Sequence, residues 1–160
     1  MIRNASPTDF EAILRLNLES ENFLSPLDRE RLETLHRQGA YHRVECAGGT
    51  VAAFLLAFRE GTEYDSPNYR WFAERYPNFL YIDRIVVDAA ARGKGLGSGL
   101  YEDLFAWARR SGAPRITCEF DIDPPNEASR RFHRGFGFQE VGSHRVANGK
   151  KAVSLQEVLL

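Results

Sequence analysis

Cysteine is scarce in this 160-residue chain: two, Cys46 and Cys118, stand far apart in apolar, strand-like segments. Two distant thiols are no disulfide framework, and no Cys/His cluster has metal-ligand spacing, so buried reduced thiols and no metal are expected. Charge of one sign is lacking too. The formal net charge is −1 and no basic run appears, which argues against a nucleic-acid partner. Long hydrophobic runs are missing. The longest, Val51 to Phe58, falls far short of the roughly 20 residues a bilayer-spanning helix needs. The opening Met1-Ile2-Arg3-Asn4-Ala5-Ser6 is not a secretory signal. A cytoplasmic protein with no membrane partner is the expectation. There is no repeat, linker or low-complexity segment. With 43% hydrophobic and 12% aromatic residues, residues 1–160 are expected to bury one core as a single domain.

What is present alternates between helical and strand periods. Ile2-Arg3-Asn4 reads as a short strand. Thr8 and Glu11 have capping-box spacing, ahead of a helix with Phe10, Ile13, Leu14 and Leu18 on one stripe. Ser25-Pro26 reads as the cap and first residue of a second helix, which stops near Gly39. Tyr41 to Cys46 and Val51 to Phe58 are strands joined by Gly48-Gly49. The second does not alternate and is expected at the centre, buried on both faces. Residues 60 to 78 are too long for a simple strand connection and rich in aromatics (Tyr64, Tyr69, Trp71, Phe72, Tyr76), so they are expected to be functional rather than disordered. Asn68 to Arg75 suggests a short helix, and the whole loop a lid over an acceptor pocket.

The strand Tyr81 to Val87 leads into Arg92-Gly93-Lys94-Gly95-Leu96-Gly97-Ser98-Gly99, and then into a helix striped by Leu96, Leu100, Leu104, Trp107 and Ala108. A strand, a glycine-rich turn and a helix N-terminus make an anion site. The first N–H groups of the helix lack internal partners, the dipole adds positive charge, and glycine lets a phosphate close to the backbone. A P-loop is excluded because Lys94 precedes the last glycines. A dinucleotide fingerprint is excluded because the third glycine is missing from either start. What remains is Arg-x-x-Gly-x-Gly, carried by Arg92, Gly95 and Gly97. Further on, the strand Ile116 to Asp121 bears Glu119, and Asn126, Ser129, Phe132, His133, Gly137 and Phe138 form a second spaced set.

Together these two sets resemble the landmarks of the GNAT (Gcn5-related N-acetyltransferase) superfamily, and the resemblance runs from Ile2 to the last strand. It implies an α/β (α+β) fold: a central mixed, mostly antiparallel sheet of about seven strands flanked by about four helices. It implies acetyl-CoA as co-substrate, a small amine as acceptor, and direct attack without an acyl-enzyme. A homodimer through the last strands is implied as well. For the cofactor it points to backbone N–H groups from Arg92 through Ser98 (Arg92, Gly93, Lys94, Gly95, Leu96, Gly97, Ser98), to the end of the fourth strand (Ile85, Val86, Val87) as oxyanion donors, and to Asn126, Ser129 and Phe132. Lys94 is equally well a solvated loop lysine, and Asn126 is a good helix cap in its own right.

Two proton-transfer roles remain. Glu119, flanked by Cys118 and Phe120, is the first candidate for the base that neutralises the amine, and partial desolvation would raise its pKa toward the working range. Asp83 is the second, with an ion pair to a neighbouring arginine as its alternative fate. His133 stands where the family usually carries tyrosine. It serves either as the acid for the leaving thiolate or as packing beneath the cofactor. Glu21, Glu63, Asp65 and Glu74 lie where they would attract a cationic amine or simply be solvated. A non-catalytic acyl-CoA-binding or sensing module is the competing reading.

Overall fold

A computed structural model describes residues 1–160. The strand segments join one seven-stranded sheet, order β1-β2-β3-β4-β5-β7-β6: β1 (Ile2–Asn4), β2 (Tyr41–Ala47), β3 (Thr50–Arg59), β4 (Leu80–Val87), β5 (Arg115–Asp123), β6 (Gln139–Val146) and β7 (Lys151–Leu159). All neighbours are antiparallel except β4 and β5. Five helices accompany the sheet, against about four expected: α1 (Phe10–Glu19), α2 (Arg29–Gln38), α3 (Pro67–Ala73), α4 (Leu96–Arg110) and α5 (Glu127–Gly135). The additional one is α3, inside the aromatic segment.

The absence of alternation in β3 has a plain cause. Ala53, Leu55 and Ala57 pack with Leu100 and Leu104 of α4, while Phe54 meets the α1 cluster and Leu56 and Phe58 meet the aromatic segment. Both faces are covered, so both sets of positions are apolar. The sheet thus separates an α4/α5 face from an α1/α2/α3 face.

Two helix starts differ from expectation. The box at Thr8 and Glu11 does not form. A 3₁₀ turn over Pro7–Asp9 precedes α1, and Asp9 accepts from the Ser6 N–H at 2.9 Å. Two contacts of 2.8 Å from Arg3 hold the Asp9 carboxyl down at about 2. The second helix is capped by Asp28, not Ser25: the Asp28 carboxylate accepts from Arg31 N–H at 2.8 Å. An ionised acceptor at a helix N-terminus gains from the dipole as well as the hydrogen bond. Ser25 is thereby left for the site.

The sheet has one interruption. β4 and β5 pair only through Leu80–Ile116 and Tyr81–Thr117. Past these residues β4 stays with β3 and β5 with β7, and a wedge opens between them. Beside the wedge β4 carries a bulge: Ile82 pairs with Ala57 and Arg84 with Leu56, leaving Asp83 unmatched. Adjacent residues of a regular strand point to opposite faces; a bulge resets the phase. Asp83 and Arg84 therefore share the α1/α2/α3 face, while Ile82 and Ile85 both pack on the α4 side.

Candidate active site

The wedge is the throat of a cleft of about 1290 Å³, lined from both sheet faces. On the α4/α5 face lies the glycine loop. Gly93 and Gly95 both adopt φ +80°, a conformation that L side chains rarely take. Gly95 is the N-cap of α4 and has no side chain to cap with. As a result the backbone N–H groups of Gly93 through Ser98 have no partner within the protein. An exposed run of donors at a helix N-terminus is the donor set that a pyrophosphate requires. Arg92 and Lys94 are exposed beside it. A Cβ on Gly97 would sit 3.7 Å from Phe132 and from Val87, so the loop, β4 and α5 converge there.

The end of β4 supplies a second set of donors. Asp88 N–H bonds the Ala52 carbonyl of β3 at 2.8 Å. Antiparallel pairing alternates, so the N–H groups of Val86 and Arg84 also turn to β3. Those of Ile85 and Val87 turn to the open wedge. Of the three expected positions, Ile85 and Val87 are thus placed as donors, and Val86 packs its side chain in the α1 cluster.

His133 is buried, 5% exposed, on α5. A carbonyl only accepts, so Nδ1 carries the proton and donates to the Ser129 carbonyl at 2.7 Å. Nε2 then accepts from the Tyr101 hydroxyl of α4 at 2.6 Å. Burial holds the imidazole below its ordinary value, hence neutral. Both ring nitrogens are engaged, and His133 and Tyr101 line the cleft together. Asn126 caps α5 by accepting from Ser129 N–H at 3.2 Å. Phe132 packs edge-on to Tyr101 at 4.7 Å between ring centres. Cys118 is buried and its thiol is pushed well up by desolvation, which disfavours the thiolate a nucleophile needs.

On the opposite face, Glu119 accepts from the Tyr81 hydroxyl at 2.9 Å through Oε1. Its Oε2 is buried with no partner. Desolvation and the nearby Asp83 charge push the carboxyl up to about 8, against the lowering effect of Tyr81 and Asn68. Asp83 has the ion pair foreseen for it: Oδ2 receives Arg84 Nε at 2.6 Å, while Oδ1 takes the Tyr64 hydroxyl. Arg84 is fixed further by Asn17 at 3.0 Å and by the Ser25 hydroxyl at 3.3 Å. Asp65, one of the acidic residues expected near the acceptor, pairs with Arg31 at 2.6 Å at the cleft rim.

The aromatic segment is no lid. Tyr69 and Phe72 are buried with Phe58, Phe79 and Tyr81 in one cluster, and the Tyr69 hydroxyl donates to the Arg59 carbonyl at 2.7 Å. Tyr64 to Asn68 form one wall of the cleft. Sequence reading missed Tyr81, Tyr101, Asn68 and Arg84. Tyr101 had a readable signal, since it follows Leu100 on the inward stripe of α4. Tyr81 and Arg84 acquire their roles only through the wedge and the bulge, and Asn68 through the packing of α3 beside Glu119.

Residues 8–138 match the acetyltransferase (GNAT) family. The phosphinothricin N-acetyltransferase of Streptomyces coelicolor is 28% identical over 136 residues, spanning 84% of this chain and 73% of the relative. An N-acetyltransferase from Staphylococcus aureus Mu50 superposes with a TM-score of 0.75 at 25% identity, covering 99% of this chain and 97% of its own. Ard1 from Thermoplasma volcanium shares the fold with a TM-score of 0.81 at 20% identity, over 100% and 97% of the two chains. The match spans β4, the glycine loop, Glu119 and α5, the elements that build the cleft, and the chain belongs to the acetyltransferase (GNAT) family and is an N-acetyltransferase.

Proposed function

We propose that the chain moves an acetyl group from acetyl-CoA to the primary amine of a small acceptor by direct attack, donor and acceptor meeting in the wedge from opposite faces. One observation carries this reading: a buried carboxyl raised to about 8, with an oxygen that has no partner, lines the same cleft as the partner-free N–H groups of the glycine loop. Acetyl-CoA supplies the activated acyl group. Gly93 through Ser98 bind its pyrophosphate, with Arg92 and Lys94 adding charge and Asn126, Ser129 and Phe132 lining the path of its arm.

Glu119 is the base. A pKa near the operating pH lets it take a proton from the amine and release it between turnovers. Asp83 commits both oxygens to Tyr64 and Arg84, whereas Glu119 Oε2 has no partner within the protein. The N–H groups of Ile85 and Val87 face the point where the carbonyl oxygen gathers charge, as an oxyanion site requires. His133 holds the Tyr101 hydroxyl through Nε2 and so positions that ring along the cofactor arm; the thiolate leaves as the anion and takes its proton from solvent. The wall that Tyr64 to Asn68 add to the cleft supports a small acceptor. A homodimer through β6, a free edge of the sheet, belongs to the same reading and is checked by gel filtration with light scattering.

Isothermal titration with acetyl-CoA, against ATP and NAD, tests the donor. Selective micromolar binding is expected; a folded sample that binds none of the three would overturn the assignment. Thiol release with an amine panel then tests transfer itself. Binding without transfer to any amine would favour the acyl-CoA-binding module.

A further inference from the structure

The connector between α1 and α2, residues 20–28, contains neither helix nor strand, and its Glu21, Phe23, Leu24 and Ser25 line the cleft. Two side chains of the sheet hydrogen-bond it. Arg84, buried on β4, holds the Ser25 hydroxyl at 3.3 Å and the Ser25 carbonyl at 3.4 Å. Leu24 and Leu27 pack into the core on either side of that contact. The Asn22 end has no such anchor. Phe23 is 53% exposed, and the one tie from the sheet is Lys151 Nζ, which donates to the Asn22 carbonyl at 3.0 Å. Lys151 is itself held in place. It opens β7 two residues before Val153, on the acceptor face, and its ammonium pairs with Asp121 at 3.5 Å. The Asp121 side chain is only 10% exposed. A carboxylate so buried is costly without a counter-ion, which keeps the ammonium at this spot rather than out in solvent. Asp121, Lys151 and Asn22 thus join β5, β7 and the connector along one side of the cleft.

We propose that Lys151 is a specificity-determining residue: by tying the connector to β7 it fixes the width of the acceptor entrance and excludes primary amines with bulky bodies. This rests on the acetyl-transfer reading and assigns the limit on its acceptor to one side chain. Released at Asn22, the connector stays anchored at Ser25 by Arg84, so the entrance widens while the buried Asp83–Arg84 pair keeps its place. Lys151 makes and breaks no bond in the transfer. Its effect falls on the KM of a bulky acceptor.

The test compares acetyl-CoA-dependent thiol release with propylamine and with 2,2-diphenylethylamine, which present the same reacting CH2–NH2 group on bodies of different width. Wild type is expected to favour propylamine in kcat/KM by about tenfold or more. Lys151→Met keeps the apolar stem and removes the donor. The double variant Lys151→Met/Asp121→Asn also removes the carboxylate left without its counter-ion, so a folded protein reports even if the single variant does not fold; bound acetyl-CoA establishes folding. In either variant the preference is expected to collapse toward one, chiefly through the KM for the bulky amine. Hydrogen exchange on the unliganded protein gives a readout independent of catalysis: peptides covering residues 20–25 should exchange about tenfold faster in the variants, and those of α4 should not change. Unchanged exchange in the connector, equal use of the two amines by wild type, or a preference that survives both variants would each overturn the role of Lys151 and leave acetyl transfer standing. No transfer to either amine, with acetyl-CoA bound, would overturn the size limit together with transfer to simple amines.

Discussion

Burial takes from Glu119 the water that would solvate its charge, and the neighbouring Asp83 adds repulsion. The carboxyl therefore keeps its proton to about pH 8, where an unfolded chain would lose it near 4.5. Catalysis by the ionised form should then rise with pH and level off above a limb near 8 in kcat/KM for the amine. Glu119→Gln should lose roughly 10²- to 10⁴-fold in kcat and also lose the limb, while acetyl-CoA binding stays. Stability runs the other way. The folded state binds more protons than the unfolded state between pH 4.5 and 8, so this group's contribution falls as pH rises through that window. The melting temperature of Glu119→Gln relative to wild type should climb from pH 5 to pH 8 and flatten beyond; a gap independent of pH would mean that the carboxyl titrates normally. At His133 the engaged nitrogens give a different expectation. Tyr101→Phe and His133→Ala should each lower kcat more than tenfold with little change in the KM for acetyl-CoA, and the double variant should lose little more, because the two act as a unit. A kcat within a few-fold of wild type for His133→Ala at every pH would reduce the pair to packing.

At the scale of elements, the aromatic segment shows how function and stability become confused in a sequence. Tyr64, Tyr69, Trp71, Phe72 and Tyr76 look like a lid because the segment is long. Yet Phe72 is fully buried among Tyr69, Phe79 and Tyr81, and β6 is shaped to it: a Cβ on Gly142 would lie 2.5 Å from the Trp71 ring. Phe72→Ala should cost about 3–5 kcal/mol, a large share of a domain's total of roughly 5–15 kcal/mol, as read by urea unfolding. A true lid would lose acceptor affinity and keep its stability. The strands, the glycine loop and α5 were legible because their signals are local: unalternating apolar residues from Val51 to Phe58, Gly93 and Gly95 ahead of a striped helix, Asn126 as a cap. Glu119 was legible through resemblance. The Asp83–Arg84 ion pair was foreseen as a fate, but not its reach to Asn17 and Ser25. That reach depends on a bulge set by register with β3, a long-range property that no local window carries. The cap at Asp28 was missed because Ser25-Pro26 offers an equally good local signal, and only tertiary contact with Arg84 decides between them.

For the whole molecule the interrupted sheet matters most. A seven-stranded sheet would gain from pairing β4 and β5 along their full lengths, but these strands part after Tyr81 and Thr117. The free edge of β4 then presents Ile85 and Val87 N–H groups that nothing in the chain satisfies. A thioester ligand entering there would act as the missing segment, bridging the two halves of the sheet while the loop holds its phosphates. Two consequences can be measured together. Acetyl-CoA at about 100 times its Kd should add ~2.7 kcal/mol of stability, which for a domain of this size raises Tm by about 5–11 °C. Hydrogen exchange should slow in peptides covering residues 82–99 and in β5 past Thr117, where the wedge is lined, and remain unchanged in the hairpin of β6 and β7 beyond it. Protection confined to residues 93–98, with no change along β4, would mean that the ligand is held by its phosphates alone and that the wedge does not receive the acyl arm. Protection on both strands, lost for β4 alone when the pantetheine portion is removed, would tie the gap in the sheet to the reacting end of the donor.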